Sequence, residues 1–500
     1  MDTAVDTRAT RQSASTHFDV LIVGAGISGI DAAWHLRKYC PGKRFAILEN
    51  QNSFGGTWRT HRFPGIRSDS DLFTFGYGWK PWSGVPIATA EEILKYLGDI
   101  IDEYGFDQYI HYGHKVASAS WSSEHKRWTL EVGFDEGRQT KRLSCNFLWM
   151  CQGYYRHSQG YTPDFPGMNR FKGRIVHPQT WPDDLDYRGK RVIVIGSGAT
   201  AATLIPAMAP DCEHITMLQR SPTYFFPRPK TDKLVSWLRK MHVPDRWVHH
   251  IARQKILFQQ KMVTRRSFSN PEKLKRQLIG GARAYLGENF DIEKHFTPGY
   301  RPWRQRLAVI PDGDLYRCIR AGKASVVTDR IETFSEDGIV LKSGEILKAD
   351  IIVTATGFNL SVLGDIPFTV DGQPVNFAER WGHRGVLFSG VPNMAWVFGY
   401  LRTSWTMRAD MVAMFVCRLL NYMDRKGVAV VTPQLRESDE DMPARPFVES
   451  ENFNAGYLMR SMHIMPRQGD REPWIFSQDY YQEKNTLPSA DLEDGTLIYQ

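Results

Sequence analysis

Apolar positions along this chain fall twice into the same order: a short continuous run, a glycine turn, then an apolar pattern of period 3.6. Residues 18–23 (Phe-Asp-Val-Leu-Ile-Val) read as a buried strand. Gly24-Ala-Gly26-Ile-Ser-Gly29 follows at once, and a helical pattern runs through Ile30, Ala33, Trp34 and Leu36. A second strand over 45–48 ends in Glu49. The order recurs where 191–195 leads into Gly196-Ser-Gly198-Ala-Thr200-Ala201 and a helix starting near Ala202. The strand after it, 215–218, ends in Gln219-Arg220-Ser221.

Strand, glycine turn and helix in that order make a pyrophosphate cradle. The first glycine permits the tight turn, the second lets backbone approach the phosphates, and the third position sets close helix–strand packing. The helix N-terminus then faces the anion. Glu49 is placed to accept hydrogen bonds from a ribose diol, which argues for an unphosphorylated ribose at the first turn, as in FAD. A carboxylate at the second turn would repel a 2′-phosphate, whereas Arg220 can bind one, which predicts NADP(H) there. One such glycine motif is weak evidence; two, each with a chemically sensible terminal residue, point to ligands.

The expected fold class is therefore α/β, two Rossmann-like dinucleotide-binding domains with a helical insertion in the second. Residues 17–155 and 386–500 are assigned to the first domain, 156–184 to a linker, and 185–228 with 325–385 to the second. Residues 229–324 read as a mostly helical, basic insert that caps the cleft.

Composition adds limits. At 500 residues the chain exceeds one ordinary core, and 42% hydrophobic with 24% charged residues is the balance of a folded protein. The six cysteines form no CxxC pair and no metal-ligand spacing, so no metal site is expected, and a flavin-dependent disulfide reductase lacks its dithiol. They read as buried thiols of a cytoplasmic protein. The first seventeen residues contain no apolar run and read as a frayed leader. Residues 411–420, the most apolar stretch, are interrupted by Arg418 and preceded by Asp410, so a packed amphipathic helix is expected rather than a membrane span. The net charge of +8 concentrates between Arg228 and Arg306. This reads either as a solvated helical face or as a field attracting a polyanionic cofactor or an acidic surface; no nucleic-acid motif accompanies it.

Further motifs lie outside the glycine turns. Phe171-Lys-Gly173-Arg-Ile-Val-His177-Pro-Gln-Thr-Trp181-Pro182 fits the pattern FxGxxxHxxxW(P/D). Gly55-Gly56-Thr57-Trp58 and Ala355-Thr-Gly357 fit GGTW and ATG. With these the chain resembles the class B flavoprotein monooxygenases and, within them, the type I Baeyer–Villiger monooxygenases. It looks most like the bacterial ethionamide-activating subgroup, and the likeness covers nearly everything after residue 17.

The resemblance implies that NADPH reduces the flavin and that O2 then gives a C4a-peroxyflavin. One oxygen atom would be inserted beside a ketone carbonyl to give an ester or lactone, and sulfides would also be oxidised. It implies flavin contacts from Gly56, Thr57 and Trp58. It implies a carboxylate, Asp69, orienting an arginine that holds charge without lending a proton. Three arginines compete for that place. Arg306 is chosen for its distance from the 311–315 segment, while Arg301 and Arg304 stand where Asn and Asp are usual. His177 is implied to couple linker movement to NADP position rather than to transfer protons. Trp474 resembles the late tryptophan that contacts the nicotinamide half. Two other readings stay open: an N- or S-oxygenase, against which Trp181 argues because those usually carry Tyr or Phe there, and an NADP(H)-binding protein without turnover.

Overall fold

The computed structural model describes residues 16–500. Of the expected leader, residues 1–15 lie outside the described residues, and Thr16 already opens the first strand. That strand, β1 (Thr16–Val23), leads to helix α1 (Ile27–Tyr39) and then to β2 (Phe45–Leu48). It is followed by β3 (Ile110–His111), β4 (Lys115–Ser122), β5 (Arg127–Phe134) and β6 (Gln139–Met150). β1 lies between β2 and β6, parallel to both, with Val20 opposite Phe45 and Phe147. Continuous apolar runs in β1, β2 and the end of β6 suit strands covered on both faces. β4, β5 and β6 form an antiparallel meander on the same sheet.

The second sheet begins inside the expected linker. β7 (Arg174–Val176), in the FxGxxxHxxxW segment, forms its edge. Next come β8 (Arg191–Ile195), α2 (Ala199–Met208) and β9 (His214–Gln219). The insert supplies α3 (Lys233–Lys240), α4 (Asp245–Ser269) and α5 (Pro271–Leu286). Then β10 (Ala324–Thr328) and β11 (Ile351–Thr354) complete five parallel strands in the order β10-β9-β8-β11-β7. The order reverses beside β8, so a crevice opens at the carboxyl ends of the strands, the usual place for a ligand in such sheets.

The second unit closes earlier than its pattern predicts. β12 (Phe368–Val370) pairs with the outer edge of β4, with Phe368 opposite Ala119, and the Phe368 ring packs edge-on to Trp128 at 5.9 Å. The chain thus rejoins the first sheet soon after Gly357 rather than at 386, because β4 offers an open strand edge and an apolar face. β13 (Met394–Trp396) then pairs with the end of β6, where β5 has left it. Helix α6 (Trp405–Lys426) contains the 411–420 stretch and buries Val412, Phe415 and Val416 in the same core as Ala33 and Leu36 of α1. No helix among the described residues is long and apolar enough to cross a membrane.

The insert does more than cap the cleft. α4 buries Val248, Ala252 and Ile256 in the core of the first unit, while α5 buries Ala282 and Leu286 in that of the second. His249 of α4 is part of the first contact. Its Nδ1 accepts the Trp82 N–H at 3.0 Å, and burial, aided by Arg253, pushes its pKa down to about 4. A folded-state value below the ordinary 6.5 makes this contribution present above 6.5 and lost as pH falls toward 4. The loss should reach about 3 kcal/mol at most. Thermal melts from neutral to acid pH should therefore show a shallower decline for His249→Gln than for the natural chain; equal slopes would remove this histidine from the acid response.

Candidate functional site

A cleft of about 1870 Å³ lies between the two sheets and is lined by both glycine turns. It exceeds the ~300–1,000 Å³ of a pocket for one small ligand. Its two ends are built alike. Gly24 and Gly196 have φ of +104° and +129°, a region closed to most L-residues. A Cβ on either would also meet a backbone carbonyl, 2.8 Å from Cys151 O or 2.3 Å from Ala355 O. These are the residues directly after β6 and β11, so in each unit the turn is pressed against a neighbouring strand end.

The helices that follow start openly to the cleft. Gly26 and Gly198 are the N-caps of α1 and α2; neither helix has a side-chain cap or an acidic residue in its first turn. Their first N–H groups and positive dipole ends are thus available to an anion. Gly26 also faces Gly56, whose own Cβ position lies 3.3 Å from Gly26 Cα. Gly29 and Ala201 sit behind the turns, fully or nearly buried, and set helix–strand contact rather than lining the cleft. Such backbone-lined concavities fit the pyrophosphate of a dinucleotide at either end.

Glu49 lies at the base of the first end, buried, with Oε2 accepting the Ala25 N–H at 2.7 Å and Oε1 the Gln51 N–H at 2.8 Å. Burial raises its carboxyl above the ordinary range, and these backbone donors pull against that rise. Each oxygen retains acceptor capacity toward the cleft, as a ribose diol requires. At the second end Thr200, Arg220 and Ser221 line the cleft. Arg220 is exposed, and no carboxylate pairs with it among the described residues. Its neighbour Gln219 is buried, its amide donating to His295 O at 2.7 Å and Thr328 Oγ1 at 2.8 Å. Gly56, Thr57 and Trp58 line the first end.

Between the ends stands an ion pair. Arg306 donates from both Nε and Nη2 to the Asp69 carboxylate, the Nη2–Oδ1 distance being 2.7 Å. Nη2 also donates to Ser70 Oγ at 3.1 Å, and Nη1 to Leu401 O at 3.1 Å. Four of five guanidinium hydrogens are thereby engaged, leaving one on Nη1. Burial opposes the charge of Arg306, but Asp69 more than offsets this, so its pKa lies above the ordinary arginine value. The other two arginines turn elsewhere. Arg301 stacks over Phe268 at 4.1 Å, and Arg304 pairs with Glu451 at 3.1 Å. Of the three, only Arg306 lines the cleft.

Several cleft residues carry no motif. Tyr154 stacks on Trp405 at 5.1 Å and 7°, and its hydroxyl donates to Tyr155 at 2.9 Å. Tyr155, Tyr457 and Arg460 complete the wall. Burial raises the phenols of Tyr154, Tyr155 and Tyr457, so they stay neutral beside Arg306. The run Gly153-Tyr154-Tyr155 at a strand end was the one local signal for them. The fold also brings Asp410 of α6 against Asp31 and His35, which stand four residues apart on α1, with the donor atoms of all three within 4.8 Å.

His177 stands behind the cleft wall. Its Nδ1 accepts the Gln179 N–H at 3.1 Å, so Nε2 carries the proton and donates to Gly357 O at 3.1 Å. Burial lowers its pKa, which favours the neutral ring. The ring ties the FxGxxxHxxxW segment to the turn after β11. Trp474 departs from expectation: it is fully buried, away from the cleft lining, with its indole N–H donating to Asp439 Oδ2 at 3.0 Å. Its partner carboxylate, 35 residues earlier in the chain, makes it a packing residue.

A family model described as flavin-binding monooxygenase-like matches residues 86–371, and one described as an NAD(P)-binding Rossmann-like domain matches residues 22–97. The FAD-containing monooxygenase EthA of Mycobacterium tuberculosis is 45% identical over 485 residues, which cover 97% of this chain and 98% of that one. The probable FAD-binding monooxygenase AlmA of Acinetobacter baylyi is 44% identical over 485 residues, 97% and 96% of the two chains. Two solved structures share the fold. An oxidized steroid monooxygenase bound to NADP gives a TM-score of 0.67 at 23% identity, covering 84% of this chain and 88% of that chain. Cyclohexanone monooxygenase in its open form gives 0.68 at 21%, covering 84% and 90%.

Proposed function

Since this chain belongs to the flavin-binding monooxygenase family, we propose that it inserts one atom of O2 beside a ketone carbonyl, giving an ester or lactone, and also oxidises sulfides. Its cofactors are FAD and NADP(H). The observation that carries this reading is the Arg306–Asp69 pair in the aromatic cleft between the two glycine turns.

FAD, when bound, supplies the oxygen chemistry, and NADPH supplies the hydride. Gly24, Gly26, Glu49 and Gly56 to Trp58 would hold the first cofactor, and Gly196, Gly198, Thr200, Arg220 and Ser221 the second. Arg306 keeps its charge at every working pH and has no proton to lend. It therefore favours an anionic oxidant over a protonated one, and it stabilises the negative oxygen that forms when a carbonyl is attacked. Asp69 fixes the guanidinium plane by its two-point contact and balances its charge. The neutral tyrosines and Trp405 exclude water, which strengthens the field of Arg306. His177 holds the Gly357 turn and acts as a positioning residue.

The test is oxygen-dependent NADPH consumption over linear, cyclic and aryl ketones, sulfides and tertiary amines, with products identified by mass spectrometry. Esters or lactones from at least one ketone class are expected. If every ketone is returned unchanged while amine N-oxides accumulate, the reading is wrong and N-oxygenation replaces it.

Arg220 sets cofactor choice in this reading. Arg220→Ala should weaken NADPH by ~2 kcal/mol, roughly a 30-fold rise in KM, the scale of a charge-assisted contact in partial solvent. NADH use should hardly change. Equal losses with both cofactors would remove Arg220 as the reader of the 2′-phosphate.

A further inference from the structure

Helices α3 and α4 carry an apolar stripe that the fold does not use. Six of the ten large apolar side chains exposed among the described residues lie between positions 237 and 268. Trp237 and Met241 are 57% and 60% exposed on α3; Trp247, Ile251 and Phe258 are 52%, 36% and 64% exposed on α4. Steps of four and seven residues bring each set onto one helix face. α4 meanwhile buries Val248, Ala252 and Ile256 in the core on another face. One apolar face suffices to dock a helix on a globular domain, so the second requires another partner.

The charges around this stripe are of one sign. From Lys233 to Ser269 there are nine Lys or Arg and a single carboxylate, Asp245. Asp245 lies 3.7 Å from Arg239, and Lys255 pairs with Asp232. Lys233, Lys240, Arg246, Lys261, Arg265 and Arg266 are exposed and meet no carboxylate among the described residues. Lys233 and Lys240 flank Trp237 on α3; Lys261 and Arg265 extend the Trp247–Phe258 line by one and two helical turns.

We propose that this face of α3 and α4 docks on an anionic lipid bilayer, holding the protein peripherally on a membrane surface. Exposed Trp, Phe and Met with flanking Lys and Arg are the two components of interfacial binding. The rings enter the boundary between headgroups and acyl chains, and long basic side chains reach the phosphates. No described helix crosses a bilayer, so attachment is from one side. A second copy of this chain is a poorer occupant, because a two-fold contact would set this basic face against itself.

The experiment is flotation of the FAD-loaded protein with vesicles of phosphatidylcholine alone and of phosphatidylcholine mixed with phosphatidylglycerol. Binding is expected with the mixed vesicles, weakened by salt and much reduced without phosphatidylglycerol. The variant Trp237→Ser/Trp247→Ser/Phe258→Ser should bind roughly tenfold more weakly with unchanged flavin content, as loss of buried apolar area predicts. Lys261→Glu/Arg265→Glu, which leaves the apolar residues in place, should also weaken binding. Two results overturn the proposal: no flotation of the natural protein with the mixed vesicles, or flotation of both variants equal to it. A third also does: if sedimentation shows a dimer that the triple substitution dissociates while vesicle binding is unchanged, the face belongs to a second copy.

Discussion

Arg306→Ala is expected to lower oxygenated product per unit time by about 10²–10³-fold, the scale of removing one preorganised stabiliser of negative charge. NADPH should still be consumed, because Arg220 and the second glycine turn are untouched, so oxidation and product formation should separate. Arg306→Lys should recover only part of the loss. A lysine keeps the charge but cannot make the two-point contact with Asp69 while also reaching Ser70 and Leu401. Asp69→Asn should resemble Arg306→Lys, since the guanidinium remains but loses its charged anchor. Product quantified against NADPH consumed, over a range of ketone concentrations, checks all three. Undiminished product from Arg306→Ala would take the central ion pair out of the chemistry.

The second large effect separates two glycines with different places in the paired turns, Gly29 at the third position of the first and Gly198 at the second position of the second. A Cβ on Gly29 would lie 1.8 Å from Gly24 O and 3.0 Å from its carbonyl carbon, both backbone atoms of the turn itself. Gly29→Ala must therefore move α1 away from β1, at a cost of ~3 kcal/mol for overpacking a rigid core. The protein should purify with little flavin and a clearly lowered Tm. A Cβ on Gly198 meets nothing within 4 Å, so Gly198→Ala should fold normally and keep its flavin. Its methyl would instead stand on the surface that backbone presents to the second cofactor, raising the KM for NADPH by roughly tenfold, ~1.4 kcal/mol. Visible flavin absorbance per protein, a melting curve and an NADPH titration distinguish these outcomes. Full flavin content in Gly29→Ala would show that the turn adjusts, contrary to the overlap with Gly24.

The contrast between these glycines marks what local pattern could and could not carry. Both turns were legible because strand, turn and helix are contiguous, and because a positive φ beside a crowding carbonyl leaves glycine alone acceptable at Gly24 and Gly196. Glu49 and Arg220 were legible for the same reason, each ending the strand that follows its turn. The placing of the 411–420 stretch in a packed helix followed from its interrupting charges.

Long-range partners decided the rest. Residue type does not order the three arginines of the 301–306 segment, and the choice of Arg306 in the sequence rests on the family resemblance alone. Arg306 is distinguished by Asp69, 237 residues away, and Arg304 by Glu451. Trp474, expected to meet the nicotinamide half of the second cofactor, is instead held inward by the Asp439 carboxylate and a closed core. The segment after Gly357 joined the first sheet because β4 presented an open edge, and Tyr457 met Tyr155 only when the short helix Gly456–Arg460 packed against the segment after β6. The sequence by itself thus determined the two cradles, whose geometry depends on adjacent residues and backbone sterics. The cleft between them was decided only by tertiary packing, because its charges and rings come from segments hundreds of residues apart.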